Sequence, residues 1–296
     1  MTTTAITPAA ARGWMKRAVA GLVAAALTAV STVPALADFS MFAKHTPDAT
    51  TVVDHSAWDK LLKSHIKPDG AGINRLDYAG FKANGHKQLK AYVASLEGVD
   101  PTTLNRTEQF AYWANLYNAK TIDVVLDAYP VDSIRKISIN EGVLGFFKKA
   151  AGLAGPWKAK VVTVNGTKLS LDNVEHDIMR KVFQDPRVHY AVNCASVGCP
   201  NLRLNAFTSA NLETELEAGA RAYVNHPRGF RVNDDGTVVA SSIYSWFQVD
   251  FGGTPAAVLE HARKYASAEL KAKLDGKTQI ASFEYDWALN DVSPTN

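Results

Sequence analysis

The apolar positions of the first half repeat mostly at helical spacing. Trp58, Leu61, Leu62 and Ile66 follow a potential Ser56 cap and predict a helix that ends in the turn Pro68-Asp69-Gly70-Ala71-Gly72. Leu89, Tyr92, Val93 and Leu96 predict another from about Gln88 to Leu96. The longest periodic stretch spans roughly Arg106 to Ala128, started by Asp100 or Thr103 and stopped by Pro130. At about 100° per residue, its Phe110, Trp113, Ala114, Tyr117, Thr121, Val124, Val125 and Ala128 share one apolar face, opposite Lys120, Asp123 and Asp127. Asn118 falls inside that face and Asn115 lies beside it with Ile122 and Leu126. Val161–Val164 and Thr167–Leu169 around Asn165-Gly166 predict a hairpin. Ser170 then caps a helix to about Phe183, with Leu171, Val174, Ile178, Met179 and Val182 inward.

From Arg187 the period changes. Val188, Tyr190 and Val192 alternate with His189, Ala191 and Asn193, which predicts a strand. It breaks at Gly198 and Pro200 into a loop that holds the only two cysteines, Cys194 and Cys199. Beyond it, Ser209 or Asn211 caps a helix carrying Leu212, Leu216 and Tyr223, ended by Pro227 and Gly229. Phe230–Val232 and Thr237–Ala240 flank an Asn-Asp-Asp-Gly turn as a second hairpin. Tyr244, Trp246, Phe247 and Phe251 lead to Gly252-Gly253, and Thr254-Pro255 opens a helix through Tyr265. Gln279–Trp287 closes the chain as a strand with Phe283, Tyr285 and Trp287 on one face and Asp286 on the other. The expected class is α+β: helices packed on a small, mostly antiparallel sheet that includes Val188–Val192 and Ile280–Trp287.

The ends change this picture. Arg12, Lys16 and Arg17 precede an apolar run from Ala18 to about Val30 and an Ala35-Leu36-Ala37 cleavage site, the pattern of a signal peptide over residues 1–37. The run is shorter than the ~20 residues a membrane helix needs, so no stable membrane insertion is expected after cleavage. A periplasmic or secreted protein follows, exported by the general pathway because no twin-arginine pair is present. Residues 38–55 read as a loose lead-in segment and 56–292 as one globular domain. Hydrophobic residues make up 47% and charged residues 21%, ordinary globular values, and the net charge of +3 includes the leader's own basic residues. With no basic run interleaved by aromatics, nucleic acid is not an expected partner. The glycine- and phenylalanine-rich stretch 137–158 reads as a loop over the core, with a lid or a membrane-touching flap as the weaker alternatives.

Several polar residues in apolar surroundings are the candidate chemistry. Glu175 lies in the middle of its helix's apolar face, where a carboxylate must pair, bind a metal or be protonated. Asn115 and Asn118 need specific partners, either as structural amides or as groups that orient a catalytic side chain. A thiol hydrolase or acyltransferase can be assembled with Cys194 as nucleophile, His189 or His176 as base, and Asn118 or Glu175 as orienter. Asn115, Arg187, Ser196 and Asp286 would help to bind a small polar ligand or envelope substrate. The competing reading is a non-enzymatic binding module stapled by a Cys194–Cys199 disulfide, which an oxidising compartment favours. A zinc site from His176, His189 and the cysteines lacks a recognised spacing, so no metal is expected. No Walker loop, dinucleotide fingerprint, HExxH or EF-hand loop is present, and no cofactor is expected.

Three motifs in order, Tyr112-Trp113-Ala114-Asn115-Leu116-Tyr117-Asn118-Ala119, Leu169-Ser170-Leu171-Asp172-Asn173-Val174-Glu175-His176 and the Arg187–Pro200 run, resemble the family called domain of unknown function 547. Leu76-Asp77-Tyr78 is similar to its early motif and Tyr285-Asp286-Trp287-Ala288-Leu289-Asn290 to its closing one, so the likeness covers roughly residues 56–292. The resemblance implies a domain of exported bacterial proteins, with no agreed biochemical activity to carry over. It also suggests kinship with papain-like or transglutaminase-like thiol enzymes.

Overall fold

In the computed structural model, residues 39–139 and 155–293 are described. Residues 1–38, which take in the predicted signal peptide, and the central part of the 137–158 stretch lie outside them. The elements run α1 (Ser56–His65), β1 (Ile66–Pro68), β2 (Asn74–Leu76), α2 (Tyr78–Asn84), α3 (His86–Glu97) and α4 (Arg106–Ala128). Next come β3 (Val162–Val164), β4 (Thr167–Leu169), a π-helical segment Asn173–Met179 that continues into α5 (Arg180–Phe183), and α6 (Val188–Ala191). The rest is α7 (Leu212–Val224), β5 (Phe230–Val232), β6 (Val238–Ser241), α8 (Ile243–Trp246), α9 (Pro255–Tyr265), α10 (Ala268–Leu274) and β7 (Ser282–Glu284). Helices with small sheets make this an α+β protein.

Helix α4 is the axis. Its cap is Asn105, whose Oδ1 accepts the Glu108 N–H at 3.0 Å, while Asp100 caps the short turn before it. From Glu108 to Leu126 only Lys120 escapes burial, so the helix is enclosed on all sides rather than on one stripe. Its expected polar side is partly enclosed too. Asp123 is buried because Lys120 Nζ at 2.7 Å, Lys90 Nζ at 2.8 Å and His86 Nε2 at 2.8 Å all meet its carboxylate.

The sheets are separate and small. β1 pairs with β2 and β3 with β4, each antiparallel. β5 and β6 form the expected second hairpin, and β7 joins β6 in parallel, Ala240 opposite Phe283. The predicted strand Val188–Val192 is a correction: it forms the helical turn α6, with Ala191 N bonded to Arg187 O and Val192 N to Val188 O. All of its residues are buried, so the apparent alternation reflected enclosure on every side and not a pleat. Val188, Ala191 and Val192 join the core around α4, whereas Tyr190 joins a second core of α7, α9 and the three-stranded sheet. This single turn therefore stitches two cores together, and His189 emerges at their seam.

Among the described residues, no helix is long and apolar enough to cross a membrane.

Candidate functional site

A cavity of about 180 Å³ opens at that seam. The π segment supplies Glu175 and His176, α6 supplies His189, and the following loop supplies Cys194 and Cys199. Rings of Tyr117, Trp157, Trp246, Phe247, Tyr285 and Trp287 form much of the wall. The aromatic side is continuous: Trp246 lies 5.6 Å from Trp287 and 4.9 Å from Tyr285, and Trp157 meets Trp287 edge-on at 5.7 Å. A π segment carries one extra residue in its turn, and here it sets a carboxylate toward the cavity from a helix whose other inward residues are Val174, Ile178 and Met179.

The best-defined polar array centres on His189. Its Nε2 lies 2.6 Å from Asp250 Oδ2, and Arg180 grips the same carboxylate through Nε at 2.6 Å and Nη2 at 3.0 Å. Burial alone would raise the Asp250 carboxyl, but the His189 and Arg180 hydrogen bonds hold it well below the ordinary carboxylate range. An ionised carboxylate only accepts, which assigns the proton to His189 Nε2. The ring is pinned by stacking on Phe247 at 4.4 Å. Its remaining nitrogen, Nδ1, lies 3.8 Å from Glu175 Oε1.

Glu175 has three neighbours. His176 Nδ1 is also 3.8 Å away, and the Tyr117 hydroxyl faces the carboxylate from α4. Burial, reinforced by Glu175, pushes that hydroxyl well above the usual tyrosine range, so Tyr117 is a neutral donor. Burial likewise raises the Asp172 carboxyl, with His176 pulling it back and Glu175 pushing it further. The anomalous glutamate on an apolar helix face is thus the floor of a cavity shared with two histidines.

The other predicted residues divide. Cys194, Cys199, Glu175, His176 and His189 line one cavity, yet among the described residues no hydrogen bond joins either histidine to Cys194. Its sulfur instead meets Tyr285 Oη at 3.1 Å and Ser196 Oγ at 3.4 Å. Cys194 also lies in an irregular loop and not at a helix N-terminus, so the papain-like arrangement finds no support here. Asn115 and Asn118 are backbone clamps outside the cavity wall. Asn115 pairs with both the N–H and the carbonyl of Phe207, at 3.0 and 2.7 Å. Asn118 bonds Ala191 O and Asn193 N, each at 2.8 Å. Arg187 points elsewhere, toward Asp185, Glu213 and Glu217. The Asp286 carboxylate caps Ala288 N at 2.8 Å, and its backbone carbonyl receives Gly198 N–H at 2.8 Å.

Sequence reading missed Asp250, Arg180, Tyr117, Asp172 and the tryptophans as site residues. Asp250 sits in a short turn seventy residues after Arg180 and carries no periodicity; only its place among Phe247, Val249 and Phe251 marks it as a polar residue in an apolar run. Outside the cavity, His86, Asp123 and Asp127 bring potential ligand atoms within 4.8 Å of one another. Lys90 already reaches both aspartates, at 2.8 and 3.0 Å, so this group is an ion-pair network.

Residues 101–224 match the family described as Protein of unknown function, DUF547, the family that the motifs resemble. The match takes in the 112–119, 169–176 and 187–200 motifs; Leu76–Tyr78 and Tyr285–Asn290 lie outside it. No curated protein and no solved structure matches the chain.

Proposed function

We propose that this is an exported cell-envelope enzyme, a hydrolase or acyltransferase that works by general acid–base catalysis from the Glu175–His189–Asp250 array. The observation that carries the reading is the commitment of His189 Nε2 to Asp250 at 2.6 Å, which leaves Nδ1 as the only ring nitrogen able to take a proton, 3.8 Å from Glu175 in the cavity. Asp250 fixes the tautomer and ring orientation, the role an orienting carboxylate plays beside a histidine base. Glu175 and His189 together would draw the proton from a water or hydroxyl nucleophile directed at a carbonyl carbon. Catalytic contacts that are long in the empty site tighten around a bound reactant. A cavity of about 180 Å³ with aromatic walls suits a small ester or amide group that has a planar or apolar side. In this reading Cys194 is not the nucleophile, because among the described residues no hydrogen bond joins its sulfur to a histidine base.

A panel of chromogenic esters and amides tests the proposal. The expected result is turnover of at least one member, lowered about 100-fold or more by Glu175→Gln and by His189→Asn and retained in Cys194→Ala. Turnover that survives Glu175→Gln, or that Cys194→Ala alone abolishes, overturns it.

A further inference from the structure

The two cysteines stand apart from the acid–base array but share its cavity. No disulfide joins them in this structure, and their sulfurs converge on the same two hydroxyls. Tyr285 Oη lies 3.1 Å from Cys194 Sγ and 3.0 Å from Cys199 Sγ. Ser196 Oγ lies 3.4 and 3.5 Å from them. Cys199 Sγ also accepts the backbone N–H of Cys194 at 3.0 Å, which places it against the very residue it would bridge.

The loop around them is held from every side. Asn193 Nδ2 donates to Pro200 O at 2.7 Å and closes the neck outside the pair. Tyr223 Oη donates to Gly198 O at 2.7 Å, and Arg228 Nη1 to Val197 O at 2.8 Å. Arg228 lies over the Tyr223 ring at 5.5 Å. Such a frame keeps two thiols within reach of each other whether or not they are bonded.

We propose that Cys194 and Cys199 form a redox-active pair that interconverts between dithiol and disulfide by exchange with small-molecule thiols and disulfides reaching the cavity. Accessibility sets the order of events. Cys194 is partly exposed and Cys199 is buried, so the incoming disulfide meets Cys194 first. The Cys194 thiolate attacks one sulfur of the small disulfide, forming a mixed disulfide and expelling one small thiolate. The Cys199 thiolate then attacks the Cys194 sulfur, forming the internal S–S bond and expelling the second. The protein loses two electrons and two protons, and the small disulfide is reduced to two thiols. Donors around Cys199, from Cys194 N–H, Ser196 and Tyr285, favour its anionic form as nucleophile in this step and as leaving group in the reverse one. Tyr285 stays a neutral donor throughout, since burial pushes its hydroxyl well above the usual range. The pair stands independently of the acid–base reading, because it uses none of Glu175, His189 or Asp250.

The full chain, equilibrated in reduced and oxidised glutathione at graded ratios, quenched with a maleimide and weighed intact, tests this without any variant. Two labels at the reducing end must give way to none at the oxidising end, and the same curve must be retraced from either side without denaturant. Cys199→Ser in oxidised buffer should collect one glutathione on Cys194, while Cys194→Ser collects several-fold less. Failure to bridge in the most oxidising buffer overturns the proposal. So does a bridge that opens only after unfolding, which makes it a structural staple. Neither outcome bears on ester or amide turnover.

Discussion

Asn118 and Asn193 work in series. Asn118, on the central helix, fixes the Asn193 backbone through its N–H at 2.8 Å, and the Asn193 side chain then bonds Ala195 N at 2.8 Å and Pro200 O at 2.7 Å. The cysteine loop therefore hangs from α4 through two amides. Replacing Asn118 with Ala leaves Ala191 O and Asn193 N–H unpaired where almost no water reaches. A loss of about 2–3 kcal/mol is expected, with faster alkylation of the cysteines. Urea unfolding and timed labelling measure the two effects.

Asp250 ties the proposed acid–base array to acid stability. Its folded carboxyl titrates below the unfolded value, since the His189 and Arg180 hydrogen bonds outweigh burial. A depressed carboxyl contributes its full stabilisation above about pH 4 and loses it as pH falls through the folded value. Asp250→Asn is expected to cost about 2 kcal/mol at neutral pH, a gap that narrows below pH 4. Denaturant curves of both proteins from pH 2.5 to 8 give the comparison.

Two buried histidines tilt stability in the same direction, across a higher pH window. Burial lowers His261, bonded to Tyr190 Oη at 2.8 Å, and His55, bonded to Tyr92 Oη at 2.6 Å, to about 4 each. The unfolded chain takes up these protons first, so stability is full above about pH 6.5 and drains away toward pH 4. Each histidine is expected to remove on the order of 3 kcal/mol across that window. His261→Gln should flatten its share of the slope in urea midpoints taken between pH 4 and 7.

Gly198 is where loop and closing segment touch. A Cβ there would lie 2.8 Å from Asp286 N and 2.9 Å from Asp286 O, backbone atoms that cannot swing aside. Gly198→Ala should cost about 1–3 kcal/mol and separate the loop from Tyr285. A lower melting temperature checks the first effect, and a shifted midpoint in the glutathione titration checks the second.

The legible parts of this chain were those with a long period or a local cap. The approximate span of helix α4 was legible, although its cap is Asn105 and not Asp100 or Thr103, and the 162–169 hairpin followed from Asn165-Gly166. Glu175 stood out because a charge on an apolar helix face has no local explanation. The turn 188–191 was misread because four buried residues are too few to show a helical period. Asp250 could not be found, since its meaning lies in His189 and Arg180, brought to it by tertiary contacts across sixty to seventy residues. The same holds for the tryptophans, which meet only when the 157, 246 and 287 regions pack together.

The π segment Asn173–Met179 has a consequence for how this protein can change over time. Removing one residue from the turn before Glu175 would take out the extra residue of the π turn and re-aim the side chains within it. Glu175 would leave the cavity with its identity intact, and the chain would still fold as a helix. Substitutions along this segment are thus far safer than length changes, and a relative one residue shorter here would carry the same letters without the same chemistry.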